Sequence, residues 1–343
     1  MLSFRGKRIL VTGGTGSLGQ VLVRRLLSGT VGKPAKVIVF SRDEAKQHEM
    51  RLAYMHRQSA TDEAIYRSFH ELLTFRIGDV RDLGSLARVV QDVDIIFNAA
   101  ALKQVPTCEY FPFEAVQTNI VGAQNIVRAI RETSAPVQLV IGISTDKACK
   151  PINVMGMTKA LQERIFVEAN IECPQTRFAC VRYGNVILSR GSVIPLFLEQ
   201  IRRGGPVTLT LPEMTRFVLT VDHAVDAVIA TARTALAGET YIPILPSARI
   251  VDVAKALMNG REVPVEFTGI RPGEKIHEVM ISEEERFRTV ERDGYYVIRP
   301  LLPELRDTPL QPPIIDHEYS SAEGPVGFAE LQTILAEYVA EAA

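Results

Sequence analysis

Apolar positions in the first half of the chain follow two alternating rhythms. Short runs rich in Val, Ile and Leu, at Arg8–Val11, Lys36–Phe40, Leu73–Ile77, Asp94–Asn98, Gln138–Ile143 and Ala179–Tyr183, read as strands. Between them, Leu18–Leu27, Glu44–Arg57, Gly84–Val90, Pro112–Arg131 and Val154–Ala169 repeat their apolar residues at helical period. The strand runs do not alternate polar with apolar, which is the pattern of a sheet covered on both faces. Such strand–helix alternation predicts βαβ units, and so an α/β fold with a Rossmann-type, doubly wound parallel sheet.

Beyond Asn185 the rhythm shortens. Gly191, Pro195, Gly204, Gly205, Pro206 and Pro212 break the chain into smaller elements, and five prolines fall between Pro300 and Pro313. Two longer helical patterns remain, Asp222–Leu236 and Phe328–Ala340. With no linker in view, the expected organisation is a dinucleotide-binding domain of residues 1–185 plus about 221–240. A smaller, interleaved C-terminal substrate-binding domain takes about 186–220 and 241–343.

The turn after the first strand carries chemistry. Gly13, Gly16 and Gly19 fall in Val11-Thr12-Gly13-Gly14-Thr15-Gly16-Ser17-Leu18-Gly19, at a strand-to-helix junction. Glycines there permit a tight turn and let backbone N–H groups approach a pyrophosphate, which the helix N-terminus favours electrostatically. The second strand ends in Ser41-Arg42-Asp43 rather than in the acidic residue that holds an NAD ribose. Ser41 and Arg42 suit a 2′-phosphate, so NADP is the expected cofactor, with Asp43 left to cap the next helix. Asp79 and Val80 after the third strand, and Ala99 and Ala100 after the fourth, complete the expected lining.

Composition narrows the partners. Lys+Arg number 39 against 40 Asp+Glu, so no strong field is present to recruit nucleic acid or an anionic membrane. Cys108, Cys149, Cys173 and Cys180 lack metal-ligand spacing, and no metal is expected. Few cysteines and no long apolar segment point to a cytoplasmic protein with free thiols.

After the fifth strand come Ser144-Thr145-Asp146-Lys147 and then Met155-Gly156-Met157-Thr158-Lys159. Residues 155 and 159 share one helix face. Together with ALKQVPTCEYFPFEAVQTNIVGAQN, VRYGNVILSRGSVIPLF, MTRFVLT and RPGEKIHEVMISEEE, these stretches resemble the inverting UDP-N-acetylglucosamine 4,6-dehydratases. Those are extended short-chain dehydrogenase/reductases, and the similarity covers residues 7–285 and reaches HEYSS at 317–321. The resemblance implies oxidation at C4 of a UDP-sugar, proton removal at C5, loss of the C6 hydroxyl as water, and return of the hydride to C6. It implies Asp146 as the acid for the C6 hydroxyl, Lys147 as the base at C5, Thr145 beside the C4 oxygen and Lys159 at the nicotinamide ribose. As a base, Lys147 must fall below the usual value of about 10.4, and desolvation with nearby cations is expected to push it down.

Met155 stands where the family places its tyrosine, and a thioether has no proton to exchange. Three outcomes follow: the C4 proton goes to Thr145, Asp146 or a water held by Lys159; the reaction stops at a 5,6-alkene; or the chain is a non-catalytic NADP-binding regulator. A UDP-hexose 4-epimerase is a further alternative that needs no Asp146-Lys147 pair. For the substrate, the resemblance implies contacts from Lys103, Asn185, Arg190, Arg216, Arg271 and Glu274, with arginines on the diphosphate, and it groups with them Asn119, placed like the helix asparagine that supports the active-site lysine through backbone and water. A homo-oligomer is expected by analogy.

Overall fold

The computed structural model describes residues 2–55, 72–186, 193–306, 308–309 and 312–341. All six expected strands form: β1 (Arg8–Thr12), β2 (Lys36–Ser41), β3 (Leu73–Ile77), β4 (Ile95–Asn98), β5 (Leu139–Ile143) and β6 (Arg177–Val181). They run parallel in the order β3-β2-β1-β4-β5-β6, the doubly wound arrangement. Because strand side chains alternate in direction, Ile9 and Val11 of β1 enter one core and Leu10 enters the other.

On one face lie α1 (Ser17–Leu27) and α2 (Glu44–Met55), the latter expected to reach Arg57, beyond the described residues. On the other lie α3 (Leu83–Val90), α6 (Gly122–Thr133) and α7 (Val154–Glu172), with Leu86, Ile126 and Phe166 in the core. The helix expected over Pro112–Arg131 is divided. After the short α4 (Val105–Tyr110) come α5 (Pro112–Ala115), a π-helical stretch over Val116–Val121, and then α6. The wider π turn carries Asn119 and sets its amide against the loop after β4.

The second half adds β7 (Asn185–Val186), α8 (Val193–Arg202), β8 (Val207–Leu209), β9 (Thr215–Leu219) and α9 (Val221–Thr234). As the Asp222–Leu236 pattern suggests, α9 returns to the first core, where Val225 and Val228 join Leu22 and Leu26 of α1. β10 (Thr240–Pro243) then continues the large sheet in parallel beside β6. Later strands supply β11 (Ser247–Arg249), β12 (Val265–Phe267) and β13 (Val279–Ile281), with α10 (Ile250–Met258) between them. The hairpin β14 (Thr289–Arg292) and β15 (Tyr295–Ile298) extends the large sheet antiparallel beyond β10, to nine strands. The interleaving is therefore finer than a boundary at 240/241, since three strands past Glu239 belong to the large sheet.

A separate core of Phe197, Leu209, Leu257 and Leu331 joins α8 and α10 to the terminal α11 (Phe328–Glu341). β13 pairs antiparallel with β16 (Tyr319–Ser320), which joins the RPGEKIHEVMISEEE stretch to HEYSS. Among the described residues, no helix is long and apolar enough to cross a membrane.

Candidate active site

The glycine turn is as tight as its sequence requires. Gly13 has φ +65°, and a Cβ there would lie 2.7 Å from the backbone of Ala99 and Ala100. A Cβ at Gly19 would lie 2.6 Å from the Gly13 carbonyl oxygen. Gly16 caps α1 without a side-chain hydrogen bond, and no acidic residue lies in the helix's first turn. Ser17 opens the first turn and Leu18 packs against the first core.

At the end of β2 the Ser41 hydroxyl lies 3.0 Å from that of Thr15. Arg42 is exposed beside it. Asp43 is spent on capping α2, accepting from the Lys46 amide and pairing with its ammonium at 2.6 Å. Asp79 is tied to two arginines. Its carboxylate takes two hydrogen bonds from the Arg81 guanidinium, at 2.9 and 2.8 Å, with Arg42 at 3.7 Å. Burial opposes its charge, but the bonds from Arg81 outweigh burial and hold it below the usual carboxylate range. Val80 is buried against Gly122, where a Cβ would lie 2.8 Å from the valine Cγ2. The helix N-terminus without an acidic residue and the close backbone approach fit the pyrophosphate of a nicotinamide dinucleotide.

The reactive groups cluster where β5 ends. The Thr145 hydroxyl caps the 3₁₀ turn Asp146–Ala148 and donates to Asp146 Oδ1 at 2.8 Å. Asp146 is fully buried, and its Oδ2 has no partner. Lys147 Nζ donates to Asp146 Oδ1 at 3.1 Å and to Asn185 Oδ1 at 3.3 Å, and it lies 3.1 Å from Glu278 Oε1. Two hydrogen bonds and one ion-pair contact thus surround the ammonium. The expected direction for Lys147 is overturned: burial pulls it down, but Asp146 and Glu278 outweigh burial and raise it above the usual lysine range.

α7 is built against this turn. Asn153 caps it by accepting from the Gly156 amide at 2.8 Å. A Cβ at Gly156 would lie 2.1 Å from the Lys147 carbonyl oxygen, so only glycine lets the helix approach so closely. Lys159 is buried and donates to the Ile143 carbonyl at 2.7 Å and to Gln162 Oε1 at 2.9 Å. Desolvation, only partly offset by Cys180 and Glu163, pulls it to about 8. Met155, one turn earlier, is buried among Cys108, Ala115, Leu102, Val105 and Val154. It packs in an apolar cluster.

The substrate-side residues divide. Lys103 and Arg271 are exposed, and Glu274 accepts a 3.3 Å bond from Thr210. Asn185 joins the Lys147 site. Arg190 lies outside the described residues. Two expectations need correction. Asn119 is fully buried, with its amide committed to the Leu102 backbone and the Thr158 hydroxyl, so it holds the loop after β4 against α7. Arg216 is also buried: its Nη atoms donate to the Thr215, Lys275 and Ile276 carbonyls, and its Nε lies 3.8 Å from Glu278. Both its forked nitrogens are thus already committed to backbone carbonyls.

Sequence reasoning passed over Glu278 and Asn153. Asn153 donates to the Gly273 carbonyl at 2.7 Å and so ties the Arg271–Lys275 loop to the start of α7. Glu278 is 1% exposed, its Oε2 has no partner, and its backbone is fixed to Ser321 by hydrogen bonds both ways. The one available signal was a carboxylate beside the apolar run Val279–Ile281, since a buried charge needs a partner.

The chain matches the family model described as polysaccharide biosynthesis protein over residues 9–300. A UDP-N-acetylglucosamine 4,6-dehydratase (inverting) of Campylobacter jejuni is 42% identical, covering 87% of this chain and 84% of the relative. A protein of Rickettsia typhi named UDP-glucose 4-epimerase is 41% identical, covering 86% and 83%. Among solved structures, Pen from Bacillus thuringiensis superposes with a TM-score of 0.85 at 30% identity, covering 98% of this chain and 99% of that one. On the family match and these identities, the chain belongs to the polysaccharide biosynthesis family of extended short-chain dehydrogenase/reductases, which holds the inverting UDP-N-acetylglucosamine 4,6-dehydratases.

Proposed function

We propose that this chain dehydrates a UDP-N-acetylhexosamine, UDP-N-acetylglucosamine foremost, to a 4-keto-6-deoxy sugar inverted at C5, with NADP as its cofactor. One observation carries the reading: Thr145 Oγ1, Asp146 Oδ1 and Lys147 Nζ form a continuous hydrogen-bonded chain at the end of β5. The bound nicotinamide would take a hydride from C4 and return it at C6. Thr145 accepts the C4 hydroxyl proton while its own proton passes to Asp146. Asp146 then gives that proton to the departing C6 hydroxyl, which leaves as water. Lys147, once neutral, takes the proton from C5, and C5 is reprotonated from solvent on the opposite face as the hydride returns to C6. This path needs no tyrosine, in keeping with a buried, apolar Met155.

Ser41 and Arg42, with Asp43 occupied elsewhere, support NADP over NAD. Lys159 lies beside the end of β5, where it holds positive charge for the nicotinamide ribose. Lys103, Asn185, Arg271 and Glu274 remain the proposed sugar-nucleotide contacts, in a substrate region built on the smaller sheets. A homo-oligomer is supported by Tyr110, Phe111 and Phe113, all exposed where α4 meets α5. We place the enzyme in the cytoplasm.

The 4-epimerase named among the relatives has no water to eliminate, so an acid beside a lysine base would be idle in it. Mass spectrometry after incubation with NADP⁺ and UDP-N-acetylglucosamine separates the two. Loss of one water is expected. An isobaric product would replace the reading with epimerisation, and unchanged UDP-sugars would replace it with a binding protein.

A further inference from the structure

We infer that Glu278 is the acceptor of the Lys147 proton, a positioning residue that turns the resting ammonium into the free amine. The inference rests on the proposed dehydration, in which Lys147 must be neutral before it meets C5.

Lys147 Nζ donates two hydrogen bonds and has a carboxylate in ion-pair contact, the surroundings of an ammonium, which has no lone pair for a substrate proton. One N–H must therefore go to a neighbour. The groups facing Nζ are Asp146 from the turn, Asn185 from β7, Glu278 beside β13 and, behind Glu278, Arg216 from β9. An amide such as Asn185 does not take up a proton at neutral pH. Asp146 Oδ1 already accepts from both Thr145 and Lys147, and in the proposed reaction Asp146 carries the proton for the C6 hydroxyl. Glu278 has no such second duty. Its Oε1 faces Nζ at 3.1 Å, while Arg216 Nε stands off at 3.8 Å with its other nitrogens on backbone carbonyls.

Burial supplies the drive. Glu278 is 1% exposed and its Oε2 is unpartnered, a costly state for a carboxylate. A sugar nucleotide seated over Lys147 removes the remaining water, and in a dry site an amine–carboxylic acid pair gains on an ammonium–carboxylate pair. In this step one Nζ–H bond breaks, its electron pair stays on nitrogen, and an Oε1–H bond forms. Taking the C5 proton makes Nζ an ammonium again; once it has released that proton to solvent after water loss, the Glu278 proton returns to Nζ and the resting pair is restored. Glu278 touches no reacting atom. Its backbone bonds to Ser321 hold it in register for the transfer.

The test joins infrared difference spectroscopy to a pH profile. Adding UDP-N-acetylglucosamine to the NADP-loaded protein should produce a protonated-carboxyl band that shifts with [13C]glutamate labelling, not with labelled aspartate, and that vanishes in Glu278→Gln. In that variant Lys147 must lose its proton to solvent. The turnover number kcat should fall about 10²-fold at pH 7 and recover about tenfold per pH unit towards pH 9, with KM and NADP affinity unchanged. Glu278→Asp should restore most of the rate and flatten the profile. A pH-independent loss, an unaffected rate, or a band that persists in Glu278→Gln would overturn the inference. Should Glu278→Gln fail to fold, the isotope shifts in the unaltered protein decide the matter. A glutamate band without any dehydrated product would retain the proton transfer and refute the reaction, so the two failures stay distinct.

Discussion

Lys147 and Lys159 lie twelve residues apart in sequence, both against the end of β5, yet their surroundings drive them in opposite directions. Around Lys159 the partners are neutral oxygens, from the Ile143 carbonyl and Gln162, and desolvation lowers it to about 8. Around Lys147 burial acts in the same sense, but Asp146 and Glu278 reverse it. Burial alone therefore does not decide how basic a lysine is: the carboxylates brought into the dry site can reverse its effect. Lys159 is suited to a charge that holds a ribose, and Lys147 to a proton that is passed between neighbours.

The strongest way to break this contrast is to remove a carboxylate from Lys147. Asp146→Asn takes away the proposed acid and the end of the C4 proton path together. The account expects kcat for water loss to drop about 10³-fold or more, with cofactor affinity unchanged. A fall of less than tenfold would place the acid elsewhere. Next in size is Lys159→Met, which keeps the buried stem and deletes the charge. Cofactor binding, followed by fluorescence, should weaken about ten- to a hundredfold, the scale of a charged hydrogen bond. In the unaltered protein the sign follows from the lowered value: the Lys159 charge is present below about pH 8 and lost above it. Cofactor affinity should accordingly decline through that range, and Lys159→Arg, which stays charged, should abolish the decline.

Arg42→Ala lies away from both lysines and sharpens the contrast as a control. It should cost about tenfold in preference for NADP over NAD, measured as a ratio of affinities, and leave kcat with saturating cofactor unaltered. Met155→Leu, between the two lysines in sequence, should do least. Its side chain packs on Cys108 and Ala115, so the loss of stability should stay under about 1.5 kcal/mol, with turnover kept. A large loss of turnover without unfolding would return this position to the chemistry.

Much of the cofactor half was legible because its signals are local. An apolar run, a glycine turn and a helix cap each lie within about a dozen residues, and β1 to β6 form where those runs fall. The Thr145-Asp146-Lys147 turn was legible for the same reason. The environment of Lys147 was not. Glu278 reaches it through β13, a three-residue strand whose partner, β16, begins about forty residues later in the chain. Arg216 misled for a related reason: an arginine in a fully buried strand finds its acceptors on a backbone segment sixty residues away. The π-helical stretch over Val116–Val121 left no periodic mark either, since one wide turn barely disturbs a helical pattern.

The most direct test of the proposed dehydration is NMR of the product formed from UDP-N-acetylglucosamine by the NADP⁺-loaded protein in deuterated water. The account predicts a 4-keto-6-deoxy sugar, inverted at C5 and carrying solvent deuterium there. A C4 epimer, with C6 still hydroxylated and no deuterium at C5, would contradict it.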